Sequence, residues 1–63
     1  MDERLLLRPE EAAQRLGLSR ATVYELIATG RIESLTIGKS RRIEVRALER
    51  FIEAQRRAQA VPA

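Results

Sequence analysis

The chain has 63 residues, with twelve lysines and arginines against nine acids and a formal net charge of +3. It contains no cysteine and no histidine, which excludes disulfides and a zinc site of the usual Cys/His kind and points to a reducing compartment. One domain near the lower size limit for folding without a staple is expected; no apolar run approaches a membrane span and Met1-Asp2-Glu3-Arg4 does not resemble a signal peptide, so the expected location is the cytoplasm.

Met1 to Arg4 is expected to fray. Leu5-Leu6-Leu7 is a short apolar run in which Leu7 can pack on Ala12 as a hydrophobic staple. Arg8 then falls at the N-cap of a helix, where it offers no acceptor; it either lies near a phosphate or is simply exposed. Pro9 to Leu16 has the start signals of a helix. Proline is tolerated at a first helical position, and Glu10 and Glu11 favour the positive end of the helix dipole. Ala12, Ala13 and Leu16 form its apolar face.

Gly17 can take the left-handed conformation that ends this helix and folds Leu18 back toward Ala13. Ser19 can cap the next helix, Arg20 to Thr29, by accepting a backbone N–H. Val23, Leu26 and Ile27 recur at helical spacing and form its core face. Arg20, Ala21, Thr22, Tyr24, Glu25 and Thr29 are left on the other surface, and Gly30 ends the helix. Two helices joined by a short Gly-containing turn form either an ordinary helical hairpin or a helix-turn-helix, whose second helix commonly enters the DNA major groove. The exposed guanidinium, hydroxyls, methyl and carboxylate are groups that contact phosphates and base edges.

From Arg31 the period changes to two. Leu35 and Ile37 alternate with Ser34 and Thr36, and Ile43 and Val45 with Arg42 and Glu44, around Gly38-Lys39-Ser40. This reads as a β-hairpin. Lys39, Arg41 and Arg42 make its tip basic, and by parity Arg41 shares a face with Ile43. A charged tip either keeps a small hairpin soluble and unpaired or meets a polyanion. Arg46 to about Arg57 is a third helix, with Leu48, Phe51 and Ile52 as an apolar stripe that Val45 extends and Phe51 as the core anchor. Residues 58–63 show no periodic pattern and read as a mobile tail behind a domain of residues 1–57.

Charge supports the polyanion. Between Leu18 and Arg46 there are six basic residues against three acids, an excess equal to the net charge of the whole chain. A basic centre favours a polyanionic partner. Two helices, a two-stranded hairpin and a closing helix make an α+β, mainly α, winged helix-turn-helix. An enzyme is not expected, since there is no histidine, cysteine, suitably spaced acid pair or Gly-rich phosphate loop; no cofactor or metal is expected either.

Three stretches resemble excisionase-type, MerR-like DNA-binding domains: Leu6-Leu7-Arg8-Pro9-Glu10-Glu11-Ala12-Ala13; Leu16-Gly17-Leu18-Ser19-Arg20-Ala21-Thr22-Val23-Tyr24; and Gly30-Arg31-Ile32 with Ile37-Gly38-Lys39-Ser40-Arg41-Arg42-Ile43. The likeness runs from about Leu6 to Ile52. It implies a second helix in the major groove and a wing in an adjacent minor groove of double-stranded DNA. It also implies a bacterial or phage protein, nucleoid-associated when bound. Ser19, Arg20, Ala21, Thr22, Tyr24, Glu25, Lys39, Ser40, Arg41 and Arg42 are the candidate DNA-binding residues. Some proteins of this type are excisionases, which bend attachment-site DNA and recruit an integrase (a tyrosine or serine recombinase); others are small transcriptional regulators. Two positions depart from the pattern: Arg8 stands where Ser or Thr commonly caps, and Glu25 where a basic residue is common. Glu25 either accepts from a cytosine amino group or pairs with Arg20 or Arg31, and pairing is the favoured expectation. The expected function is that of an excisionase-like accessory factor, with a small MerR-like regulator and a protein-binding adaptor docking through its third helix as rivals. No heptad seam long enough for a dimerising coiled coil is present, so a monomer in solution is expected, with cooperativity only on DNA.

Overall fold

A computed structural model describes residues 5–60; Met1–Arg4 and Val61–Ala63, the expected frayed start and the end of the expected tail, lie outside the described residues. The elements in order are β1 (Leu6–Leu7), α1 (Pro9–Leu16), α2 (Arg20–Ala28), β2 (Leu35–Ile37), β3 (Ser40–Glu44) and α3 (Val45–Gln59). The three strands form one antiparallel sheet in the order β1-β3-β2. The fold is a winged helix-turn-helix, mainly helical.

Local chemistry accounts for the helix pair. Arg8 has no acceptor to cap α1, but its own backbone N–H donates to the Glu11 carboxylate at 2.9 Å, so the third residue of the helix supplies the reciprocal half of a capping box. At the other end Gly17 sits at φ 72°. Its N–H donates to Gln14 O at 3.3 Å and the Leu18 N–H to Ala13 O at 3.0 Å, the paired bonds of a Schellman motif. The same motif ends α2, where Gly30 N–H reaches Ile27 O and Arg31 N–H reaches Leu26 O. That reversal drops Ile32 into the core at 1% exposure; Ile32 lies outside both periodic stretches, so sequence spacing does not flag it.

The core is Leu7, Ala12, Ala13, Val23, Ile32, Ile43, Ala47, Leu48 and Phe51, with Leu16, Leu26, Ile27 and Val45 packed against it from partly buried positions. Small alanines on α1 let α2 approach closely. The apolar run before α1 is more than a staple: Leu6 pairs with Glu44 and Leu7 with Ile43, which adds a third strand to the expected hairpin. Just before that strand, Leu5 O accepts the Val45 N–H at 3.2 Å and so takes up a donor at the start of α3.

Alternation leaves open which face of β2 meets the core: Leu35 and Ile37 do not, being 43% and 56% exposed. Three expectations need correction. The register pairs Ile37 with Ser40 and Leu35 with Arg42, so the turn is Gly38-Lys39 alone. Gly38 has φ 62° and Lys39 does not have positive φ, as in a type II′ hairpin. Directly paired residues share a face, so Leu35 and Ile37 lie on the outer side with Arg42, opposite Ile43 and Leu7. On α3, Ile52 is 42% exposed and Ala47 is buried in its stead. The helix also runs to Gln59, past the expected end near Arg57 and into the segment read as a tail.

Candidate nucleic-acid interface

The helix wheel of α2 defines its outer surface. At about 100° per residue, the core-facing Val23, Leu26 and Ile27 put Ala21, Glu25 and Ala28 on the line farthest from the core. Tyr24 flanks that line on one side, with Arg20 farther round toward α1, and Thr22 and Thr29 flank it on the other. All seven are exposed.

Each candidate residue has a definite place. Ser19 caps α2: its Oγ accepts the Thr22 N–H at 3.1 Å and lies 2.7 Å from Thr22 Oγ1. Both hydroxyls are thereby turned toward the helix start, where backbone N–H groups also point outward. The Arg20 guanidinium lies 5.3 Å from the Tyr24 ring centroid and its Nε is 3.9 Å from Glu10 Oε2 on α1. Cation–π attraction and an ion pair thus hold the arginine loosely from two sides, each worth only about 0–1 kcal/mol at such exposed positions. Ala21 leaves the surface low beside it.

The pairing expected for Glu25 does not form. Arg20 is turned to Glu10, and Arg31 donates to Gln55 Oε1 on α3. Among the described residues no ion pair or side-chain hydrogen bond reaches the Glu25 carboxylate. Arg20 and Glu25 are five positions apart, about 140° around the helix, too far round for the two side chains to meet easily. Glu10 is the site residue that sequence spacing missed. Its position in the first turn of α1 is fully explained by the helix dipole, and only the packing of α1 on α2 brings it to Arg20.

In the wing, β3 places its cations on alternating faces. Arg41 shares the Ile43 face, and its Nη1 donates to Ser34 Oγ at 2.7 Å. Arg42 lies half-buried on the outer face, opposite Leu35, with Nη1 donating to its neighbour's carbonyl, Arg41 O, at 2.8 Å. Lys39 and Ser40 are exposed at the turn. The hairpin is held by β1 and α3 through β3, while α2 packs on α1. The molecule thus presents two polar surfaces on one shared core, the outer line of α2 and a basic hairpin. No helix among the described residues is long and apolar enough to cross a membrane.

Residues 6–56 match the family model described as "Helix-turn-helix domain". The chain is similar to a protein described as "Probable excisionase" from Saccharopolyspora erythraea, 47% identical over 51 residues that make up 81% of this chain and 52% of the relative. It therefore spans about half the length of that curated relative. No solved structure matches significantly. The family match covers both helices, the hairpin and most of α3, and on that ground the chain belongs to the helix-turn-helix domain family.

Proposed function

We propose that the chain is an excisionase-like accessory factor of site-specific recombination: it binds double-stranded DNA at an attachment site, bends it, and directs an integrase toward excision. The observation that carries this reading is the 47% identity to a probable excisionase over 51 residues, 81% of this chain. In this reading α2 enters the major groove with Arg20, Ala21, Thr22 and Glu25 toward base edges, while the N–H groups behind Ser19 approach a phosphate. Lys39 or Arg41 enters the adjacent minor groove, which is narrow and strongly negative where A·T-rich, and Arg42 holds a flanking phosphate. Contacts to both grooves from one shared core favour a bent duplex, because a bend lets more of the protein surface reach the DNA. The protein acts in the cytoplasm, as a monomer until adjacent sites bring copies together.

The test is an in vitro excision reaction with the neighbouring integrase and its paired attachment-site DNAs. Recombinant product rising with added protein, with no matching stimulation of integration, is the expected result. Unchanged excision across a titration that saturates the DNA would contradict the role.

A further inference from the structure

Resting on the reading of α2 as the helix that enters the major groove, we infer that Glu25 reads a cytosine, so that the DNA site carries a C·G pair at the centre of the α2 contact. Three observations lead there. Glu25 lies on the outermost line of α2, between Ala21 and Ala28, whose side chains end at Cβ. It is the only long side chain on that line, so it is the group that reaches deepest when the helix backbone approaches the bases. Its carboxylate has no ion pair or side-chain hydrogen bond among the described residues, and the two arginines expected to pair with it are engaged elsewhere: Arg20 with Glu10 and Tyr24, Arg31 with Gln55.

A bare carboxylate in the major groove is selective by chemistry. Ionised, it only accepts hydrogen bonds. Guanine offers O6 and N7 and thymine O4, all acceptors that repel it; adenine offers an N6 amino group but sets the N7 acceptor beside it. Cytosine offers the N4 amino group with no acceptor next to it on the same base. The carboxylate is also repelled by the phosphates on both sides of the groove, a cost met only where a donor waits. Glu25 therefore excludes other bases at that position as well as accepting one.

The experiment is selection of bound duplexes from a randomised pool by the full chain, run in parallel for the parent, Glu25→Gln, Glu25→Ala and Arg20→Ala, with thermal melts confirming that each variant is folded. The parent is expected to fix one C·G pair. Glu25→Gln is expected to move that position toward A·T, because an amide can bond adenine at N6 and N7 together, and to bind the parent's site roughly tenfold or more weakly. Glu25→Ala should leave the position open, and Arg20→Ala should change a different position while keeping the C·G pair. The inference is overturned if Glu25→Gln binds every duplex more tightly by one common factor with the selected sequence unchanged, since the carboxylate would then be only a repulsive, solvated charge. A parent that enriches no sequence would overturn the reading of α2 itself, and the inference with it.

Discussion

At the scale of single residues, the groups that shape the helix pair were legible because their chemistry is local. Ser19, Gly17 and Gly30 each act within a few positions of themselves, and the structure puts them where cap and left-handed turn chemistry require. Glu10 and Ile32 were not legible: one matters through a neighbouring helix and the other through the chain reversal behind Gly30. Glu25 shows the same limit from the other side, because its nearness to arginines in sequence does not make them neighbours around the helix. Two predictions belong here. Arg20→Ala should leave the melt unchanged and weaken binding to the true site by about 1–3 kcal/mol, the scale of a good base contact; fluorescence anisotropy with the parent's selected duplex checks it. Gly17→Ala should destabilise the domain by about 1–2 kcal/mol. No heavy atom lies within 4 Å of an added Cβ, so the loss is backbone strain alone. In a thermal melt it should appear as a drop of roughly 4–8 °C per kcal/mol for a chain of this size.

At the scale of elements, the hairpin shows what alternation can and cannot specify. Period two identified both strands, yet it could not say which face of β2 meets the core. A three-residue turn, Gly38-Lys39-Ser40, would set Ile37 opposite Arg41 and hence on the Ile43 face. The actual turn stops at Lys39, and that single residue moves Leu35 and Ile37 to the outer side. The two isoleucines of the hairpin should therefore respond very differently to truncation. Ile43→Ala, at a fully buried position, should cost about 2–5 kcal/mol in chemical denaturation. Ile37→Thr should stay within about 0.5 kcal/mol, as at other surface sites, since threonine also suits a strand. Equal losses would mean that β2 turns its apolar side inward. In α3 the misplaced stripe has a similar cause. Ala47 carries little hydrophobic signal yet shares the buried arc with Leu48, Phe51 lying between the two around the helix, while Ile52 falls about a quarter-turn from Phe51. Phe51→Ala should cost about 3–5 kcal/mol and leave the isolated chain largely unfolded in a far-UV melt, given how little core there is to lose.

At the scale of the whole molecule, two polar surfaces with different chemistry sit on one small core. The outer line of α2 carries one carboxylate between alanines, flanked by a tethered arginine and by hydroxyls, a mixture suited to base edges. The hairpin carries three cations within four positions of a turn, suited to phosphates and to a narrow groove. The division of labour we propose is that α2 chooses the sequence and the wing supplies affinity that does not depend on sequence. It is tested most directly by anisotropy titrations of the parent and of a variant with Lys39, Arg41 and Arg42 all changed to Ser, at several salt concentrations, on the selected duplex and an unrelated one. The wing variant should bind both duplexes more weakly while keeping its preference between them. Its log–log salt slope should be shallower by about 0.9 for each phosphate that the wing no longer neutralises. A variant with the parent's slope on both duplexes would contradict the account, because the basic hairpin would then never meet DNA.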